Sequence, residues 1–158
     1  VRGSDFGVLE QSGEQARALG MGAKIVSIKR LHDAAINRID AASSSFWNAK
    51  NGDYQGALTM AARAQNQEDP RILRVTGFAT RKLGDVDGAL PFYRRALAID
   101  PDYVLARSYM GEAYLQKGHT AAAQQELAEI ERRCGRACAE YVDLAMQIDA
   151  YAKAIRGG

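Results

Sequence analysis

The strongest constraint on the fold is an internal repeat of 34 residues. Six marker positions of one segment correspond to six positions 34 residues later in the next segment. The first set is Gly77, Gly84, Ala89, Tyr93, Ala96 and Pro101, and the second is Gly111, Gly118, Ala123, Leu127, Ile130 and Gly135. A period of this length indicates a stack of similar units, each of which buries its apolar face against its neighbours. A stack of this kind usually provides a binding surface, to which catalytic groups would have to be added.

The residues between these markers predict three pairs of helices, at 37–50 with 54–67, 70–83 with 86–99, and 103–117 with 120–133. Gly84 suits the left-handed residue that ends a first helix, and Asp85 suits the N-cap of the second helix. Pro70 fits the first turn of a helix, where its missing N–H costs nothing. The Asp-Pro-Asp stretch at 100–102 is expected to start the third pair in the same way. Close approach of the paired helices is expected at three small residues, Ala57, Ala89 and Ala123.

The segments that flank the repeats differ from each other. Residues 1–22 contain five glycines and few apolar residues, so a flexible lead is expected there. A helical apolar stripe follows, formed by Ile25, Ile28, Leu31, Ala35, Ile39, Ala42 and Phe46. A last amphipathic helix is predicted at 139–156, with Glu140 and Gln147 facing outward, and it would cover the end of the stack. We therefore expect one helical domain at 23–156, with repeats at about 37–69, 70–103 and 104–135.

The second and third units resemble tetratricopeptide (TPR) repeats. Where that motif has Trp-x2-Leu-Gly-x2-Tyr, this chain has Leu73-x2-Thr76-Gly77-x2-Thr80 and then Arg107-x2-Met110-Gly111-x2-Tyr114. The first unit is degenerate, since Ala61 stands where the motif has an aromatic residue. The resemblance implies an all-α right-handed superhelix of antiparallel helix pairs, about three repeats long, with a C-terminal capping helix. It also implies a non-enzymatic adaptor that binds another protein.

The resemblance places the ligand surface on the concave face, which the first helix of each pair forms. On the first helix of the second pair, four cations would surround the aromatic residue Phe78. These cations are Arg71, Arg74, Arg81 and Lys82. The neighbouring first helices would add Phe46, Lys50, Leu105, Ser108, Glu112 and Leu115. This set suits an acidic peptide or helix of a partner protein, because arginine holds carboxylates with paired hydrogen bonds. The alternative is a solvated basic face that only keeps the protein soluble.

One ligand of the family is not expected here. TPR proteins that clamp the C-terminal carboxylate of chaperone tails use Asn beside Lys and Arg on this face. Phe78 stands where one such Asn would be expected, so the resemblance does not imply that ligand.

Cys134 and Cys138 are the only two cysteines. A disulfide is the favoured interpretation, because an even and isolated pair suits an oxidising compartment and Gly135 lets the chain leave helical geometry. Two reduced, packed cysteines are one alternative. A thiol redox or metal-handling protein is another, although the spacing is not Cys-x2-Cys and no His cluster completes a metal site. Small TPR proteins exported to the periplasm of Gram-negative bacteria are similar in having a close cysteine pair before the capping helix. That resemblance implies a periplasmic or otherwise exported location, with the cytoplasm as the alternative.

Other functional classes lack support in the sequence. The net charge of +2 does not indicate attraction to nucleic acid, and no apolar run approaches the ~18–20 residues that insertion into a membrane needs. No phosphate-binding loop or catalytic triad is present in a supporting context. We therefore expect no catalytic residue, no metal and no cofactor. Self-association remains a further alternative, and Trp47, the single tryptophan, is expected to pack between helices.

Overall fold

The computed structural model describes residues 28–31 and 41–158. Residues 28–31 are helical, with Ile28 and Leu31 exposed, and they belong to a different unit from residues 41–158. The predicted lead at 1–22 and the remainder of the stripe before Ala41 lie outside the described residues. The domain boundaries therefore stay predictions.

Residues 41–158 form an all-α array of seven helices. The described part of α1 covers 41–50, and the others are α2 (Tyr54–Ala61), α3 (Pro70–Lys82), α4 (Val86–Ile99), α5 (Val104–Gln116), α6 (Thr120–Cys134) and α7 (Ala139–Arg156). No strand occurs within this range, which confirms the predicted fold class of paired helices followed by one more helix. No helix in the described part of the chain is long and apolar enough to cross a bilayer.

Glycine and aspartate build the turn within the second pair, as the sequence predicts. Gly84 has a φ of +103°, a left-handed conformation that a side chain would strain. The Asp85 side chain then accepts a hydrogen bond of 2.8 Å from the N–H of Gly88 and caps α4. Gly52 and Asp53 repeat this arrangement before α2.

The paired helices approach closely at the small residues of the repeat. Ala57, Ala89 and Ala123 are completely buried. A Cβ at Gly77 of α3 would lie only 2.7 Å from the Tyr93 ring of α4, so glycine is needed for this contact. Tyr93 itself belongs to a core cluster that α4 shares with α5.

The last helix covers the end of the array. Leu144 and Ile148 of α7 join a core cluster with Leu115, Ala123 and Ile130 of α5 and α6. Gly111 lies 34 residues after Gly77, yet it receives Leu144 of α7 instead of a side chain from the second helix of its own pair. The same repeat position thus serves an internal contact in one unit and the terminal contact in the next.

One predicted helix end and one predicted cap are wrong. The second helix of the first pair stops at Ala61 instead of residue 67, because the Gln67 amide donates hydrogen bonds to the carbonyls of Ala61, Ala62 and Ala64 and satisfies groups that a longer helix would use. The Asp-Pro-Asp stretch at 100–102 does not cap α5, whose N-cap is Tyr103. The Pro101 carbonyl instead accepts hydrogen bonds from the Arg107 guanidinium.

Candidate protein-binding surface

The first helices of the three pairs share a connected group of aromatic and arginine side chains, formed by Phe46, Trp47, Arg74, Phe78 and Tyr109. We call this group the aromatic–arginine surface. The Phe46 and Trp47 rings of α1 meet edge to face at 5.6 Å, and Phe78 of α3 lies 5.1 Å from Tyr109 of α5. Arg74 connects the two ring pairs, because its guanidinium carbon lies 5.9 Å from the centre of Phe46 and 5.8 Å from that of Tyr109. The surface therefore extends across α1, α3 and α5.

Arg74 is the most constrained cation of this surface. It is 8% exposed, and its Nε donates a hydrogen bond to the Tyr103 hydroxyl. The Tyr103 ring also lies 5.9 Å from the guanidinium carbon. Burial raises the pKa of the Tyr103 phenol, while the charge of Arg74 acts in the opposite direction. Arg74 forms no ion pair with any carboxylate of the described residues, so ring contacts and one phenol hold its charge.

Arg81 is buried as well, but its charge is already neutralised. One Nη donates to Glu112 at 2.6 Å and the other donates to Gln116 at 3.0 Å, both on α5. Glu112 also accepts a hydrogen bond from Gln147 of α7, so one carboxylate joins α3, α5 and α7. Arg81 and Glu112 therefore connect the helices of the array and are not free to hold a ligand.

The other predicted cations are exposed, and only the two lysines contact rings of the surface. Arg71 is exposed and forms two hydrogen bonds to Asp69. Lys82 is exposed with its Nζ 5.6 Å from the centre of the Phe78 ring, and Lys50 is exposed with its Nζ 5.0 Å from that of Trp47. Four equivalent cations around Phe78 are thus not what the structure shows.

Several sequence-based assignments need correction. Leu115 is buried in the core cluster between α5, α6 and α7, and Ser108 is 2% exposed, so neither offers a side chain to a ligand, whereas Leu105 is half-buried. Trp47 is 54% exposed at the edge of the surface and does not pack between helices. It also contacts an aromatic neighbour, Phe46.

Three aromatic residues at this site are not among the predicted groove residues: Trp47 and Tyr109 of the surface, and Tyr103 beside it. Tyr103 and Tyr109 hold Arg74 although they lie 29 and 35 residues further along the chain. A signal was available in the repeat itself, because an offset of about one repeat brings first helices side by side. Applied to Arg74, that offset leads to the segment around residue 108.

A second cluster lies at the turn between α6 and α7. Cys134 and Cys138 are joined by a disulfide, with Cα atoms 6.0 Å apart. The Glu140 carboxylate approaches them, and one oxygen and both sulfurs lie within 4.8 Å of one another. Glu140 is half-buried here and does not face outward as predicted. His119, the N-cap of α6, stacks on Tyr114 and is not part of this cluster.

Comparison with known proteins supports the repeat fold. Residues 81–133 match the family model described as tetratricopeptide repeat. No curated protein sequence matches the chain at a significant level.

Solved structures show the same fold at low sequence identity. The type III secretion chaperone SycD of Yersinia enterocolitica, in complex with a peptide of the translocator YopD, is 21% identical over 74% of this chain and 90% of that chain, with a TM-score of 0.61. Another structure of SycD is an alternative dimer. The TPR2B domain in the pHsp70 complex of yeast Sti1 is 21% identical over 78% of this chain and 99% of that chain, with a TM-score of 0.63. The first TPR domain of human RPAP3 is 15% identical over 77% of this chain and 96% of that chain, with a TM-score of 0.65.

Proposed function

We propose that this chain is a non-enzymatic adaptor that binds a peptide or helix of another protein on the aromatic–arginine surface. The repeat match at 81–133 and the TPR fold support a binding module. The peptide complex of SycD and the pHsp70 complex of Sti1 support a peptide as the type of ligand.

The state of Arg74 is the observation that carries this proposal. A buried charge is costly unless it is paired, and ring contacts offset only part of that cost. Arg74 has rings on several sides and, among the described residues, no carboxylate. An acidic group of a partner would complete its hydrogen bonds, and arginine is well suited to this because its planar fork matches a carboxylate. We therefore infer an acidic residue in the bound segment.

The exposed rings supply the second part of the surface. Phe46 is 39% exposed and Trp47 is more exposed still, although large aromatic side chains gain most from burial. Aromatic and arginine residues also dominate the binding energy of protein interfaces. An apolar side chain of the partner, placed next to its acidic residue, would cover these rings.

Affinity capture from the native cell extract tests this function with matched variants. Wild-type protein is compared with Arg74→Gln, Phe46→Ala and the control Arg94→Gln, which removes an exposed arginine from α4, outside the surface. We expect one partner to be captured by the wild type and the control, and lost with the other two variants. Far-UV circular dichroism must show the same helix content in all four proteins. Equal capture by every variant would reject the surface.

The affinity for the identified segment can then be measured directly. Trp47 is the single tryptophan and lies on the surface, so its fluorescence reports binding. Arg74→Gln should weaken the affinity at least about tenfold, which corresponds to about 1.4 kcal/mol. Replacing the acidic residue of the segment by its amide should weaken wild-type binding but leave the Arg74→Gln variant unchanged.

We also propose that the chain resides in an oxidising compartment, in the periplasm or otherwise outside the cytoplasm. The disulfide between Cys134 and Cys138 supports this location, because such bonds persist where thiols are not kept reduced. Alkylation of the protein in freshly lysed cells tests the proposal. Mass spectrometry should show two added alkyl groups only after reduction, whereas full alkylation before reduction would favour the cytoplasm.

A homo-oligomer is the remaining proposal about partners. The alternative dimer of SycD supports it, since that chaperone shares the fold. Sedimentation velocity over a hundredfold range of concentration should show a rising sedimentation coefficient, and a single monomeric species throughout would reject self-association.

A further inference from the structure

The turn between α6 and α7 brings together a set of ligating atoms that the proposed function does not use. Cys134, Cys138 and Glu140 each offer one atom, and these atoms lie within 4.8 Å of one another. Glu140 forms no ion pair with a described cation, and the nearby guanidinium of Arg136 pairs with Glu131 at 2.7 Å instead. The carboxylate therefore approaches two sulfurs without a cation of the described chain to neutralise it.

The turn and the two helix ends position these three groups. Cys134 is the last residue of α6, and Gly135 has a φ of +79°, which lets the chain turn back at once. Cys138 is the N-cap of α7, an 18-residue helix, and Glu140 lies in its first turn. The partial positive charge of a helix N-terminus favours the thiolate form of a cysteine, and the thiolate is the form that binds metal.

The chemistry of the set selects one class of ion. Thiolates exclude Ca²⁺ and Mg²⁺, which prefer oxygen ligands, whereas two sulfurs and a carboxylate suit Zn²⁺. Three protein ligands also leave one position of a tetrahedral ion for water or an outside ligand. We propose that, once the disulfide is reduced, Cys134, Cys138 and Glu140 hold one zinc ion.

The reduction requires an external dithiol. One thiolate of the dithiol attacks a sulfur of the Cys134–Cys138 bond and forms a mixed disulfide, and the second thiol then resolves it. The dithiol leaves as its own disulfide, and the protein keeps both sulfurs as thiols. Zinc binding then releases the two thiol protons to solvent. Cys134 is exposed, so the incoming thiolate has access to one end of the bond.

The backbone permits the change of geometry. In a tetrahedral site with Zn–S bonds of about 2.3 Å, the two sulfurs lie about 3.8 Å apart. Rotation of the cysteine side chains can reach this separation while the Cα atoms stay near 6.0 Å. Helix α7 can therefore remain packed on α5 and α6 in both states.

Co²⁺ is the probe for this site, because its thiolate complexes absorb in the visible and near-ultraviolet range, where the corresponding zinc complexes do not. Reduced protein, freed of reductant without air, is titrated with Co²⁺ beside oxidised protein. We expect one Co²⁺ per chain, a thiolate-to-metal charge-transfer band in the reduced protein only, and loss of that band when Zn²⁺ is added. A reduced protein that gives no more signal than the oxidised one would overturn the proposal.

Glu140→Gln tests the third ligand without touching the thiols. Its matched control is Glu131→Gln, which removes the neighbouring carboxylate that pairs with Arg136. Both variants keep the cysteines, and circular dichroism checks that reduction leaves the helices intact. Glu140→Gln should weaken Co²⁺ binding at least about tenfold relative to the control. Equal affinities for the two variants would remove Glu140 from the site and overturn the proposal.

Discussion

Replacing Gly111 by alanine should loosen the contact between α5 and the terminal helix α7. A Cβ at position 111 would lie 2.6 Å from Cδ2 of Leu144 and 2.8 Å from its Cδ1, whereas non-bonded carbon atoms settle at about 3.5–4.0 Å. Leu144 is completely buried and cannot turn into solvent. Overpacking of this kind costs about 1–3 kcal/mol, and alanine returns about 1 kcal/mol through its higher helix propensity. We therefore expect Gly111→Ala to lower the free energy of unfolding by about 1 kcal/mol.

A double-mutant cycle with Leu144→Ala isolates this contact. Leu144→Ala alone leaves a cavity and should cost about 2–5 kcal/mol. In the double variant the clash disappears, because Leu144 has been shortened, and the methyl group of Ala at position 111 fills part of the cavity. The free energy of unfolding lost in the double variant should therefore be smaller than the sum of the two single losses by at least about 1 kcal/mol.

Urea unfolding followed by far-UV circular dichroism measures each corner of the cycle. The control cycle combines Gly111→Ala with Ile72→Ala, because Ile72 packs in a separate cluster with Ala41, Ala61 and Ala64. Those two effects should add within about 0.5 kcal/mol. The same additivity between Gly111→Ala and Leu144→Ala would refute the packing argument.

Three further predictions concern single side chains. Burial raises the pKa of Tyr93 to about 12, whereas the unfolded chain ionises near pH 10, so stability should fall between about pH 10 and 12. Tyr93→Phe should remove that part of the fall in a pH series of urea melts. It should change stability little at pH 7, because the buried hydroxyl lies near the Arg81 guanidinium but forms no well-aligned hydrogen bond with any described residue. Glu112→Gln should cost about 3 kcal/mol in the same melts, since it leaves the buried charge of Arg81 unpaired, and a cost below about 1 kcal/mol would contradict the assigned role. Asp85→Ala should cost about 1 kcal/mol through loss of the cap on Gly88, while an equal cost for Asp85→Asn, which keeps a capping oxygen, would show that charge and not capping is responsible.

The helix pattern could be predicted because it depends on short-range chemistry. The left-handed Gly84, the capping Asp85 and the N-terminal Pro70 each act on residues a few positions away, so their meaning is visible in the sequence. The helices of the second and third pairs accordingly agree with their predicted bounds to within one residue.

The candidate surface was less predictable because burial and pairing depend on other helices. Arg74 and Arg81 occupy similar places on α3, but only Arg81 has a carboxylate opposite it on α5. Leu115 follows the expected spacing of a surface residue, yet the terminal helix covers it. Glu140 is predicted to face solvent from its helical spacing. The tight turn at Gly135 instead brings its carboxylate close to the two sulfurs. Helical periodicity alone contains none of these long-range contacts.

The shortened end of α2 has a consequence for how the array opens. Eight residues, 62–69, join α2 to α3, and most of them are exposed. The Gln67 amide donates hydrogen bonds to the carbonyls of Ala61, Ala62 and Ala64, and Ala64 is the one buried residue of this connection. In a stacked protein, local unfolding follows the weakest junction between neighbours. Backbone amides of α1 and α2 should therefore exchange with solvent as one group, before those of α3 to α7, and Gln67→Ala should widen that difference.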